Sequence, residues 1–160
     1  MYYLSVLVSF ALLLFICIKF YRSDNLSIHK MLSPISYGIL IAFAIIPFHE
    51  WIHALAYKLV GAKQTSFDVN LKKFYFLAIA DKFVANKREF QFVALAPFVI
   101  ISITLIIVFL LTENTVKILL LSALTMHSAC CSGDFALLSY FEFNKDKEIV
   151  TYDDKENKND

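Results

Sequence analysis

Four long apolar blocks, separated by polar segments, organise this chain of 160 residues. They predict helices at about residues 2–20, 35–60, 89–111 and 115–141. A helix of about 20 apolar residues is long enough to cross the hydrocarbon core of a bilayer. The pattern therefore predicts an all-α integral membrane protein with about four transmembrane helices.

The second block carries local signals at both ends. Ser33-Pro34 suits a helix start, with serine as the N-cap and proline at the first helical position. Gly61 suits a C-cap. Pro47 lies inside the block and predicts a bend, because proline removes one backbone donor. Two interpretations of Pro47 stay open: a tolerated membrane proline, or a bend that opens backbone carbonyls beside the polar residues that follow.

The polar connector between the second and third blocks, residues 62–88, carries a strand pattern. Its apolar residues Phe67, Val69 and Leu71 alternate with polar ones, and a second apolar run follows at residues 74–80. This predicts a small cytoplasmic strand region at the membrane surface, either a hairpin or a pair of strands. Residues 144–160 are mostly Lys, Asp, Glu and Asn, which predicts a disordered tail and leaves residues 1–143 as a single membrane-embedded domain.

Composition narrows the class of protein. Hydrophobic residues make up 59% of the chain, which is too apolar for an ordinary soluble domain of this length. The net charge is +1 and no basic cluster suggests a nucleic-acid partner. The expected surroundings are the lipid bilayer.

The distribution of basic residues predicts the topology. With the N-terminus inside, the second connector and the tail hold eleven of the 15 Lys and Arg residues. Cytoplasmic segments carry the excess of positive charge, so both termini are expected in the cytoplasm. The first block lacks the marks of a cleaved signal peptide and is expected to remain as a helix. The Lys- and Asn-rich composition fits a bacterial inner membrane.

The chemistry concentrates in His49-Glu50-Trp51-Ile52-His53, within the second block. Histidines four residues apart share one face of a helix and can bind one zinc ion, and the intervening glutamate is suited to act as a general base. Ionisable groups at membrane depth are costly and mark functional sites. We therefore predict one Zn²⁺ ion on His49 and His53.

A zinc hydrolase uses three protein ligands and leaves one position for water. Asp134, in the fourth block, is the predicted third ligand, and the small residues Ser132 and Gly133 beside it would let two helices approach closely. His127 lies seven residues earlier, roughly on the same helical face, and stays open as a ligand or as a partner of one. The other open candidates are the thiols of Cys130 and Cys131, although cysteine-rich zinc sites tend to be structural.

These parts predict a mechanism. Zinc lowers the pKa of a bound water and polarises the scissile carbonyl. Glu50 takes the proton as the water attacks and passes it to the leaving amine.

These residues resemble the site-2 protease group of intramembrane metalloproteases. More closely, the chain is similar to the small bacterial "putative zincin peptidase" family, formerly a domain of unknown function. The residues that carry the resemblance are His49-Glu50-Trp51-Ile52-His53, Ala94-Leu95-Ala96-Pro97-Phe98 and Ser132-Gly133-Asp134. The resemblance implies zinc on His49, His53 and Asp134, Glu50 as the catalytic base, and an extended substrate presented by strand pairing.

Two functions are therefore in competition. The first is a zinc-dependent intramembrane endopeptidase that cleaves a membrane-anchored protein. The alternative is a non-catalytic membrane protein that binds zinc or serves as a scaffold. Glu50 favours the first, because a scaffold needs the histidines but not the base. The sequence names no substrate, no trigger and no oligomeric state.

Overall fold

Helices form most of the part of the chain that the computed structural model describes, residues 2–23, 28–70, 75–113, 115–144 and 151–152. The five helices are α1 (Tyr2–Ser23), α2 (Ile28–Leu59), α3 (Lys87–Leu111), α4 (Thr115–Cys130) and α5 (Ser132–Phe143). The strands are β1 (Ser66–Asn70), β2 (Tyr75–Ile79), β3 (Val84–Ala85) and β4 (Thr151–Tyr152). The predicted helical fold with strands between its second and third helices is confirmed.

Two of these helices are each long and apolar enough to cross a membrane: α3, and α2 from Lys30 to Leu59. Helices α4 and α5 pass the same test only as one bent pair, which gives two or three candidate spans among the described residues. Only 17% of the most apolar window in α2 and 22% of that in α3 is buried. Soluble proteins rarely expose apolar surface on this scale, whereas lipid solvates it, and this agrees with a membrane protein.

Helix α2 begins earlier than the sequence suggested. It starts at Ile28 and runs through Pro34 and Pro47, so the prediction that Ser33-Pro34 starts the helix is wrong. Membrane helices accommodate proline where the freed backbone groups find other partners. The local proline signal is therefore a weaker guide to a helix start here than in a soluble protein.

The predicted end of α2 is confirmed. Gly61 has a φ of 110°, a left-handed conformation in which glycine carries no steric penalty. The N–H of Ala62 donates to the carbonyl of Tyr57 at 2.9 Å, and that of Gly61 donates to Lys58 at 3.2 Å. These two bonds form a Schellman motif, which caps the last turn of the helix.

The predicted fourth helix is interrupted. Helix α4 ends at Cys130 and α5 begins at Ser132, so His127 and Asp134 lie on different helices rather than on one face of a single helix. Serine and glycine at 132 and 133 are weak helix formers, which favours a break at this point. A Cβ atom added to Gly133 would meet nothing within 4 Å, so the prediction that Gly133 permits a close helix approach is wrong.

One compact unit comprises Met1–Ile45 and Phe98–Gly133. Its core includes Leu13 of α1 and Ile118 and Leu121 of α4. Helices α2 and α4 approach closely at Gly38, where an added Cβ would overlap Ser122 Oγ and the carbonyl oxygen of Leu119. The Ser122 hydroxyl donates to the carbonyl of Ile35 at 2.9 Å, so this crossing has its own hydrogen bond.

We expect Gly38→Ala to destabilise this unit by about 1–3 kcal/mol, the usual cost of overpacking a tight core. The added methyl group must displace Ser122 or backbone atoms of α4. Unfolding of the full chain in detergent measures the effect, and Gly133→Ala is the matched control because its methyl group enters open space. Equal stability of the two variants would contradict a close crossing at Gly38.

The other compact unit comprises Ile46–Pro97 and Asp134–Asp160. It contains the antiparallel pair β1–β2, which confirms the predicted pair of strands and pairs Phe67 with Ala78, and β3 pairs with β4. In the polar tail, residues 145–150 and 153–160 lie outside the described residues, so the predicted disorder there stays a prediction. The core of this unit includes Tyr57 and Val93, which places the last turns of α2 beside the first turns of α3.

Helix α3 starts two residues before the predicted position because a capping box fixes its first turn. The Asn86 side chain accepts a hydrogen bond from the N–H of Glu89 at 3.0 Å, and the Glu89 carboxylate accepts one from the N–H of Asn86 at 2.9 Å. A second contact lies nearby, where Lys87 donates to Glu142 of α5 at 2.9 Å. The start of α3 and the end of α5 are thus tied together.

Candidate metal centre

The two histidines of the motif converge in space. They lie one helical turn apart on α2, and their Nε2 atoms are 3.1 Å apart. This is the arrangement that a spacing of four residues predicts for a helix. Both ring edges therefore point toward one place.

Asp134, in the first turn of α5, lies at the same place. Its Oδ2 atom is 3.3 Å from Nε2 of His49, and its Oδ1 atom is 3.3 Å from Nε2 of His53. These side chains are mostly shielded from solvent, with 12% of His49, 9% of His53 and 21% of Asp134 exposed. The structure thus brings the three predicted ligands together, and their role as ligands stays a prediction.

The opposite edge of the His53 ring is held by α3. Its Nδ1 atom lies 3.0 Å from the carbonyl oxygen of Val93 in a buried contact. A carbonyl can only accept, so Nδ1 carries a proton in this contact, which leaves the lone pair of Nε2 for a metal ion. Histidine ligands in proteins are commonly oriented in this way by a carbonyl on the far ring nitrogen.

The donor set fits zinc. With Nε2 of His53 unprotonated, a lone pair and a carboxylate face each other at 3.3 Å, an arrangement that a cation between them stabilises. Tetrahedral zinc with bonds of about 2.0–2.1 Å requires donors about 3.3 Å apart. The two Nε2 atoms are 3.1 Å apart and each lies 3.3 Å from an Asp134 oxygen, Oδ2 for His49 and Oδ1 for His53, which is close to that value. Two imidazoles and one carboxylate also leave a fourth position free for water, as in catalytic zinc sites.

Glu50 lies beside these donors and is held by the hairpin. The backbone N–H of Ala78, in β2, donates to Glu50 Oε2 at 2.8 Å. The ligand atoms of His49, Glu50 and His53 lie within 4.8 Å of one another. This spacing lets a single water reach both the carboxylate and the donors.

The site opens into a cavity of about 370 Å³ in the same unit. Glu50, His53 and Asp134 contribute the charged and ionisable side chains of its lining. The rest of the wall is largely apolar and consists of Tyr57, Leu77, Ala78, Phe90, Val93, Ala94 and Leu137. The cavity therefore combines a polar end with an apolar wall.

The remaining candidate ligands have local partners of their own. His127 is buried in α4, where its ring stacks on Phe98 with a centroid separation of 6.4 Å. Its Nε2 atom lies 3.8 Å from the thiol of Cys131, which is also buried, whereas Cys130 is exposed. His127 and Cys131 thus contact each other within their own unit, and their role as ligands stays open.

Two groups at the site, the N–H of Ala78 and the carbonyl of Val93, could not be predicted from the sequence. Both are backbone groups, so the residue types at these positions do not indicate them. The only available signal was Pro97, whose ring removes the N–H that would otherwise bond to the carbonyl four residues earlier.

Comparison with known proteins gives one family. The model of the family described as "Putative zincin peptidase" matches residues 42–147, which include the whole motif and Asp134. No curated protein and no solved structure matches the chain significantly.

Proposed function

Because the chain belongs to the "Putative zincin peptidase" family, we propose that it is a zinc-dependent endopeptidase that hydrolyses a peptide bond of a membrane-anchored protein. The observation that carries this proposal is the convergence of His49, His53 and Asp134 beside a carboxylate held by β2. A scaffold would need the three donors alone. The oriented Glu50 favours catalysis.

His49, His53 and Asp134 are the residues that would hold zinc. When bound there, zinc polarises the scissile carbonyl and makes water more acidic. His53 is oriented for this role by Val93, since its proton is kept on the far side of the ring. The two Asp134 oxygens each face a different histidine, which limits the rotation of the carboxylate.

Glu50 moves the proton. Its Oε2 atom is occupied by the N–H of Ala78, so Oε1 is left to accept a proton from the attacking water. The water oxygen bonds to the scissile carbonyl carbon, and Glu50 then delivers the proton to the amide nitrogen as the C–N bond breaks. The peptide gains one water, and Glu50 returns to its starting state.

The hairpin supports a mode of substrate binding. The N–H of Ala78 donates to Glu50, so it points away from β1 and marks the edge of β2 that pairs with no strand among the described residues. An extended peptide that pairs with this edge runs past the carboxylate and next to the apolar cavity wall. The preferred substrate then carries apolar side chains beside the scissile bond, as transmembrane segments do.

The proposed enzyme is of the site-2 protease type and works within the membrane. The spans of α2 and α3 and the bent pair α4–α5 support this, since both the motif and Asp134 lie in them. Together with α1 they make the four spans of the proposal. The excess of Lys and Arg in the second connector and the tail supports cytoplasmic termini in a bacterial inner membrane.

Cleavage in proteoliposomes tests this proposal. The full chain is incubated with single-span reporter proteins of varied sequence, and the products are identified by mass spectrometry. We expect at least one reporter to be cut within its apolar segment, 1,10-phenanthroline to stop the reaction, and added zinc to restore it. If the protein binds zinc stoichiometrically but cuts no reporter, the non-catalytic alternative replaces this proposal.

A further inference from the structure

Helix α3 continues through a proline close to the site. Pro97 is fully buried and lies within Lys87–Leu111. Proline has no backbone N–H, so the carbonyl four residues earlier receives no helical hydrogen bond. In this helix that carbonyl belongs to Val93, the residue that contacts Nδ1 of His53.

We propose that Pro97 is a positioning residue: it leaves the Val93 carbonyl free to fix the tautomer and orientation of His53. The proposal rests on the zinc-binding role of His53 given above. Pro97 contacts neither the metal nor the substrate in this arrangement; it acts through the Val93 carbonyl and the His53 ring.

The hydrogen bond between Val93 and His53 stabilises both of its partners. A backbone carbonyl without a partner is costly at membrane depth, and Val93 is only 1% exposed, so water does not satisfy it. The His53 Nδ1–H supplies the partner at 3.0 Å. In return, the carbonyl stabilises the Nδ1–H form of His53 against the Nε2–H form, which the Asp134 carboxylate 3.3 Å from Nε2 favours in the absence of a metal. The proline thus creates an acceptor that only the correct tautomer of the ligand can satisfy.

Pro97→Ala restores the competing donor. The N–H of alanine bonds to the Val93 carbonyl along the helix axis, and the carbonyl then becomes a weaker partner for His53. A carbonyl has two lone pairs, so the His53 contact is weakened rather than lost. We expect zinc affinity to fall about tenfold, at the low end of the 10–100-fold loss typical for disrupted partners of metal ligands.

Two measurements on the full chain in detergent test this. Competition with a chromophoric chelator gives the zinc affinity. Nitrogen-15 spectra of ¹⁵N-histidine-labelled, metal-free protein give the tautomer, with the His53 signals identified by their absence in His53→Asn. We expect Nδ1 of His53 to be protonated in the wild type, and the Nδ1-protonated share to fall in Pro97→Ala as the Nε2–H form that faces Asp134 gains. If Pro97→Ala changed only the packing around His53, the ring would keep the tautomer that it has in the wild type.

The matched control is Pro34→Ala, which adds the same N–H inside α2, fifteen positions before His49 in the sequence. We expect it to change neither zinc affinity nor tautomer. A folded Pro97→Ala protein with wild-type zinc affinity and wild-type His53 nitrogen signals would overturn the inference. If Pro97→Ala does not fold, a wild-type His53 ring that is unprotonated on Nδ1 overturns it instead. The tautomer is measured without zinc or substrate. The result therefore stands even if the protein proves to have no peptidase activity.

Discussion

Replacing Glu50 with glutamine is expected to abolish peptide cleavage while bound zinc remains. The amide cannot take a proton from water, and loss of a general base costs about 10²–10⁴-fold in rate. The glutamine carbonyl oxygen can still accept the hydrogen bond from the N–H of Ala78, so the side chain stays in place. The measurements are the rate of product formation from a reporter that the wild type cleaves, and the zinc content per protein in the same samples.

Glu142→Gln is the matched control for this substitution. Glu142 lies in the same unit, and its side chain is 64% exposed in its contact with Lys87. Exposed ion pairs contribute little to stability, so cleavage should be unchanged. If Glu50→Gln cuts the reporter as fast as the wild type, Glu50 is not the base and the mechanism is wrong.

Asp134→Ala is expected to release zinc from the purified protein. The substitution removes the carboxylate that faces both histidines at 3.3 Å and leaves only two donors. The affinity should fall by more than the 10–100-fold that loss of an outer partner costs. Zinc content after dialysis against a weak chelator, measured by mass spectrometry, checks this. Asp134→Asn keeps the volume of the side chain and removes its charge, so it shows how much of the loss of zinc is due to the charge.

His127→Ala provides the comparison. His127 is 3% exposed and stacks on Phe98, so its loss should lower the stability of the unit. Zinc retention by the folded fraction should nevertheless remain near the wild-type value. The reverse order, with zinc lost from His127→Ala and kept by Asp134→Ala, would move the third ligand to His127.

The sequence could predict the motif because its geometry is local. Four residues on a helix set the separation of His49 and His53, and Glu50 follows from its place between them. Asp134 could be predicted as their partner because a carboxylate in an apolar block has few other reasons to be there. The convergence of these side chains agrees with that reasoning.

Other features depend on tertiary contacts that leave no pattern in the sequence. The N–H of Ala78 and the carbonyl of Val93 reach the site through chain geometry alone. The close crossing of helices was expected at Gly133 but is found at Gly38, because glycine marks equally a tight contact or a weak point in a helix. The predicted start of α2 at Ser33-Pro34 is wrong because proline, which favours the first turn of a soluble helix, is tolerated in the interior of a membrane helix.

The sequence separation of the donors has a consequence for biosynthesis. His49 and His53 are translated long before Asp134, which begins the second segment of its unit. A nascent chain that has completed α1 to α4 therefore has only two of the three donors. In the proposed enzyme the third donor arrives with α5, so the metal site is completed only after the preceding helices have been made.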